Sequence, residues 1–348
     1  MGSADEARPQ PMTTALEILA PGLGVSIQDA GRVGHRSIGV PLSGALDPVF
    51  LAAANGLAGN PAGAAGLEVL LAGPRLKAAG GPLRVALAGD MTARIVTASG
   101  EARSVAAWST ATLAAGDELQ VGVPRGVGYV AVAGGLRTPP MLGSRSTYAR
   151  AGLGRPLAVG DRLPCARGDG LSSRERRAAA PLRHADGPIR AMPGPQLDRF
   201  GAAALETFLS RTFVVTRERD RMGLRLDGPR LTHVEGGADI VSDGVAPGAI
   251  QVPADGRPIV LLADCQTVGG YPKIAVVIRA DLPRLAHLQT GDGLGFAFVD
   301  AAQAAAARAA QARQLADWLA ALQPLGGIDE ASLLSANLAG AAVRGDEA

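Results

Sequence analysis

The densest run of chemistry-bearing residues lies between Ser242 and Lys273. Asp243, Gly244 and Gln251 open it, and Asp264, Cys265, Gln266, Thr267, Gly269, Gly270, Tyr271 and Lys273 close it. A glycine pair lets backbone amides approach a ligand closely. Gln, Thr, Tyr and Lys side chains add donors for a carboxylate or a carboxamide. Tyr271 precedes Pro272, which biases it toward extended backbone and helps fix where its hydroxyl points. Lys273 adds a point charge on a flexible stem. Donors placed at a developing oxyanion would stabilise it, so the segment suits a small substrate with an amide-type carbonyl. Asp264, Gln266, Tyr271 and Lys273 are the candidate catalytic residues. Asp243, Gln251, Thr267, Gly269 and Gly270 are candidate substrate contacts.

Three further segments share this polar and glycine-rich character. The first runs from Gln28, Asp29, Gly31 and Arg32 to Ser43, Gly44 and Asp47; the second is Gly143 to Tyr148; the third is Arg219 to Gly223. Gln28, Asp29, Arg32, Ser43, Arg145 and Ser146 join the candidate binding residues. Ordinary turn chemistry with satisfied caps produces similar composition. Asp47, directly before Pro48, reads as a helix cap.

Other chemistries lack their parts. No GxxxxGK[ST] loop and no GxSxG elbow occur. Gly126-Val-Gly128 fits a dinucleotide fingerprint, but no helix pattern follows it, and such a site needs a helix N-terminus there. His35, His184, His233 and His287 stand apart with no HxH or HxxxH spacing, so neither a zinc nor a di-iron site is expected. Cys165 and Cys265 form no CxxC pair. Only two lysines occur, Lys77 and Lys273, and neither lies in a Met-Lys-Met-like turn, so this chain carries no biotin.

The elements that must position these residues are mostly strands. The chain has 348 residues, 47% hydrophobic and 19% charged, enough to bury a sizeable core and too apolar for disorder. A net charge of +2 excludes a dominant phosphate-backbone role, and 3% aromatics exclude a base-stacking platform. Short β-branched or apolar runs bounded by Gly, Pro or Asp at 83–87, 212–216, 258–263 and 274–278 read as strands. Helices are expected from Asp47-Pro48 to Gly59, over about 196–210, and over 301–323 behind an Asp300/Gln303 capping box. No apolar run reaches the ~20 residues of a membrane helix. No signal peptide is visible, so a cytoplasmic location is expected.

The two halves read as copies. Leu-Ala-Gly-Pro-Arg-Leu at 71–76 returns as Leu-Asp-Gly-Pro-Arg-Leu at 226–231. Pro-Gly precedes each copy and Gly-Asp-x-Leu follows each, in the same order. The boundaries expected are a loose tail at 1–13, a first β-barrel domain at 14–166, a linker at 167–187, a second β-barrel domain at 188–300 and a helical extension at 301–348.

The chain resembles the allophanate hydrolase subunit 2 family, also called the biotin-dependent carboxyltransferase family, and within it the C subunit of bacterial 5-oxoprolinase. The resemblance covers about residues 14–300. It rests on PGLGVSIQDAGRVGHRSIGVPLSGALD (21–47), ANGLAGNP (54–61), GLEVLLAGPRL (66–76), LGSRSTYARAGLG (142–154), RERDRMGLRLDG (217–228), SDGVAPGAIQVPADG (242–256) and LLADCQTVGGYPKIAVVIRADL (261–282). Cys265 stands where the family usually has a basic residue, and His287 where it often has Gln.

The resemblance implies two tandem cyclophilin-like β-barrels in a mainly β chain with a few helices. It implies ATP-dependent opening of the 5-oxo-L-proline lactam to L-glutamate, active only in complex with two partners of 5-oxoprolinase, its B subunit (the subunit 1 type) and its A subunit. ATP would be held by that complex. Tolerance of Arg at the position of Lys273 favours anchoring a carboxylate over acting as a base. Two alternatives stand beside this: a carboxyltransferase subunit of a biotin-dependent urea or acyl carboxylase, and a non-catalytic regulator of a subunit 1 type partner.

Overall fold

A computed structural model describes residues 14–165 and 174–325; the expected tail at 1–13 lies outside them. The chain is mainly β, and its sheets curl into barrel-like shapes. In the first half, a six-stranded sheet holds Ala15–Ala20 between Arg162–Pro164 and Arg75–Ala79. A second sheet runs Leu23–Gln28, Gly66–Ala72, Arg125–Val132, Leu83–Asp90, Ser109–Leu113. Gly126 and Gly128 therefore lie on a strand, which rules out the dinucleotide turn. In the second half, an eight-stranded sheet brings Ala249–Gln251 between Ile259–Leu261 and Lys273–Val277. Pairing is antiparallel apart from Ile189–Pro193 with Phe296–Phe298.

The expected strands form, at Leu83–Asp90, Phe213–Arg219, Ile259–Leu261 and Lys273–Val277. The repeated Gly-Asp-x-Leu turns share one backbone feature: Gly116 has φ 94° and Gly291 φ 95°. That left-handed conformation favours glycine.

Four helices are present among the described residues. The first, α1, is Pro48–Ala58. Asp47 Oδ1 accepts from the Val49 and Phe50 amides at 2.9 and 3.0 Å, and Gly59 closes the helix in the left-handed region. Phe50, Leu51, Ala53, Ala54 and Leu57 pack into a core that also contains Ile189, Phe213 and Ile250, so α1 lies at the seam of the two halves.

The second, α2, is Ala202–Ser210. The single helix expected over 196–210 is instead a 3-10 turn, Leu197–Arg199, then a break. Phe200 is extended at φ −123°, ψ 128°, bridges His233, and Gly201 follows as the N-cap. Burial of the Phe200 ring outweighs continuity of the helix.

The third, α3, is Leu282–Ala286 and the fourth, α4, is Ala301–Ala320. The Asp300/Gln303 capping box forms as expected. The helix stops at 320 rather than 323, because Gln323 and Pro324 pair as a strand with Arg177 and Arg176. Trp318 donates to the Ala180 carbonyl and packs edge-on against Trp108, while Leu319 sits over Gly56, so α4 is docked. The stretch read as a linker contributes more than length: Arg176–Arg177 joins a sheet and Leu182 is buried in the seam core.

Candidate functional site

The Lys273 loop is built by strand register. Gln251 and Lys273 are cross-strand partners, and a two-residue ladder pairs Asp243 with Gly269 and Gly244 with Val268. Six residues of the 242–273 segment are thereby paired. Lys273 is enclosed, its side chain 2% exposed, and its ammonium donates to Asp243 Oδ2 at 3.0 Å. That contact, ahead of the Gly244 amide and the Gln196 side chain, holds the Asp243 carboxyl below its usual range. Gln196 bridges the pair: its Oε1 accepts from the Lys273 amide at 3.2 Å and its Nε2 donates to Asp243 at 3.1 Å.

Around this pair stand the amide donors. Gln266 Nε2 lies 3.5 Å from Gln251 Oε1, and Gln251 Nε2 lies 3.5 Å from the Tyr271 carbonyl. Contacts this long are weak, so both amides can be drawn to a better partner. Gly269 leaves room for the Gln251 amide, because a Cβ there would lie 2.5 Å from Gln251 Nε2 and push that amide aside. The Gly270 carbonyl accepts from Ile240 and the Thr267 carbonyl from Val245, which pins both edges of the loop. Tyr271 is 42% exposed.

Asp264 belongs to a different group. Both its oxygens accept from Arg221, at 2.8 and 3.0 Å. Arg221 also donates to Glu68 and to the Gly44 carbonyl, so it ties the halves together. Glu68 is fully buried and accepts further from the Leu46 amide and the Tyr129 hydroxyl. The Arg221 charge is stabilised despite burial by Glu68 and Asp264. Glu68 carries no local signal in the sequence; its partners lie 22, 61 and 153 residues away.

The first and second polar segments meet each other. Asp29 accepts from Gly31 and Arg145 amides and from the Ser144 and Ser146 hydroxyls. Burial pushes its carboxyl up, and these four hydrogen bonds outweigh that and hold it below the usual range. Arg32 is buried against the Met141 and Ser146 carbonyls, Gln28 donates to Ser26 and the Thr147 carbonyl, and Arg145 donates to the Thr138 carbonyl. Ser43 stands apart, at φ 52°, on the wall of a seam cavity of about 290 Å³ that Asp29, Leu262 and Ala263 also line.

The segments are cross-linked. Arg36 reaches from the first half to the carbonyls of Val245 and Gln266, and the Ser43 amide donates to Ala263. Cys265 is buried beside Arg36, and burial pushes its thiol up to about 11, so it is no thiolate nucleophile. Both cysteines are free.

The arrangement sets the enclosed Lys273 ammonium and the Gln251 amide, both on buried strand ends, beside the Gln266 amide and the exposed Tyr271. It can bind a carboxylate and a carbonyl; a nucleophile with a paired base is not among these residues.

Comparison with known proteins matches the chain to a family. The sequence profile of the carboxyltransferase domain, subdomain A and B, fits residues 38–298. The chain is 37% identical over 310 residues to the C subunit of 5-oxoprolinase from Escherichia coli, covering 86% of this chain and 96% of that protein. It is 35% identical to the C subunit of 5-oxoprolinase from Haemophilus influenzae, covering 81% and 91%. The crystal structure of Kluyveromyces lactis urea carboxylase superposes with a TM-score of 0.78 at 27% identity, over 90% of this chain and 30% of that one.

Proposed function

Because the chain belongs to the family of carboxyltransferase domains, subdomain A and B, we propose that it is one component of an ATP-dependent 5-oxoprolinase. That enzyme opens the 5-oxo-L-proline lactam to L-glutamate. The observation that carries this reading is end-to-end similarity: the match covers 96% of the Escherichia coli C subunit. The partners proposed are a B subunit, of the subunit 1 type, and an A subunit, in the cytoplasm. No described helix is long and apolar enough to cross a membrane.

The Lys273 loop supports a binding role within that complex. The substrate carries a carboxylate and a lactam carbonyl. Lys273 would take the carboxylate, and Gln266 and Gln251 would donate to the carbonyl oxygen as charge develops there. Asp264 would hold the loop to the seam through Arg221. Asp29, with Arg32, Arg145 and Ser146, would set the neighbouring loop. ATP is assigned to the assembled complex, and no residue here is given a role toward it.

A second reading is a carboxyltransferase component acting on urea. The fold match to the Kluyveromyces lactis urea carboxylase favours it, as does 31% identity to a putative urea carboxylase of Emericella nidulans, of which the chain spans 24%. Reconstitution with purified homologues of the two partner proteins separates the two. ATP-dependent release of glutamate from 5-oxoproline, absent when this chain is assayed alone, is the expected result. Turnover of urea and bicarbonate with a biotin carboxylase and carrier, and none of 5-oxoproline, would replace the first reading with the second.

A further inference from the structure

Three side chains far apart in sequence meet at one point of the seam. Asp47 Oδ2 lies 2.6 Å from His184 Nε2 and 2.8 Å from His287 Nε2. Asp47 precedes α1 in the first half, His184 lies in the stretch between the halves, and His287 follows α3 in the second. No local spacing in the sequence announces them, which is why histidines read as isolated come together here.

We propose that Asp47, His184 and His287 bind a divalent transition-metal ion of the zinc type. The three ligand atoms lie within 4.8 Å of one another. Two imidazole nitrogens and one carboxylate oxygen form a donor set suited to zinc and to other first-row metals with open coordination positions. Bonds of ~2.1 Å in a tetrahedral arrangement place neighbouring ligand atoms about 3.4 Å apart. The observed 2.6 and 2.8 Å are hydrogen-bond separations, so each ring must move outward from Asp47 Oδ2 by about 0.6–0.8 Å to admit the ion.

Each ligand is held before any ion arrives. Asp47 is fully buried, and its Oδ1 is fixed by the first amides of α1, leaving Oδ2 to the rings. Phe50 stacks on His184 with centroids 4.9 Å apart and touches the His287 ring at 4.8 Å. A cavity of about 470 Å³ lined by His184, Asp186, Arg284 and His287 gives an entry path and room for water ligands. The Arg284 charge there is met by Asp281 at 3.1 Å. Without an ion, the same contacts serve as hydrogen bonds from two rings to one oxygen. Binding must displace those hydrogens, and in return it joins both halves and the stretch between them through one centre.

Zinc uptake tests the site. Chelator-stripped protein without a histidine tag is dialysed against zinc chloride, and metal per chain is counted by mass spectrometry. Wild type should keep one zinc per chain. His184→Gln and His287→Gln should each lower retention at least tenfold, while His233→Gln, whose ring meets the Val252 carbonyl, should keep it. Glutamine preserves a donor toward Asp47, so the ion-free fold is retained. Zinc should also raise the unfolding temperature of wild type and of neither site variant. A cobalt(II) titration of wild type gives a check independent of any variant: a saturable visible absorption band is expected. Zinc retention no higher in wild type than in the double glutamine variant, or no cobalt band, overturns the site and leaves a hydrogen-bonded cluster.

Discussion

Lys273 and Asp243 form an ion pair of unequal partners: the lysine side chain is 2% exposed and the aspartate 52%. The ammonium is enclosed by its strand and cannot follow solvent. The carboxylate lies on the surface and can leave. Such a pair contributes little to stability through the exposed partner. It keeps a cation enclosed and satisfied until another carboxylate replaces the first, which fits an anchoring role for Lys273.

The position of Lys273 depends on Gly194. A Cβ at residue 194 would lie 2.0 Å from the Lys273 carbonyl oxygen and 2.7 Å from the Ile274 carbonyl carbon, both backbone atoms. Gly194→Ala must therefore displace the strand carrying Lys273. A loss of about 1–3 kcal/mol is expected from overpacking, read by urea denaturation. Wild-type stability would show that the strand shifts freely.

The seam rests on Glu68 and Arg221. Glu68 is completely buried, and Arg221 is 14% exposed. Glu68→Gln removes one of the two carboxylates that meet Arg221 and leaves Asp264 as the other, so it should destabilise the chain by about 1–3 kcal/mol. Calorimetry should show a lower unfolding temperature. An unchanged midpoint would mean that solvent reaches Arg221 and replaces the pair.

Acid should weaken the loop held by Asp29. Its carboxyl is held below the usual range in the folded chain, against an unfolded value of about 3.9. The folded pKa being the lower, the stabilisation is full above the unfolded value and is lost as pH falls through the folded one. The stability difference between wild type and Asp29→Asn should be flat above about pH 5 and shrink below about pH 4. A difference that grows in acid would reverse the sign and refute the assignment.

What was legible in the sequence follows from how local each signal is. The Asp47-Pro48 start of α1 and the Asp300/Gln303 box of α4 are written in adjacent residues, and both formed. The break at Phe200 was not legible, because its cause is a bridge to His233, more than thirty positions away. Among the site residues, Gln251, Gln266, Asp243 and Lys273 share one segment and came together. Asp264 shares that segment, yet its carboxylate is taken by Arg221. The convergence of Asp47, His184 and His287 depends wholly on how the halves pack.

The most direct test of the Lys273 loop is a graded activity series in the reconstituted enzyme. Glutamate release from 5-oxoproline is measured for wild type, Lys273→Arg, Lys273→Ala and Gln266→Ala, with partner binding checked for each. Lys273→Arg should retain much of the activity. Lys273→Ala and Gln266→Ala should each lose at least tenfold, about 1.4 kcal/mol of transition-state stabilisation. Full activity in both alanine variants would reduce the loop to a structural turn and contradict the account.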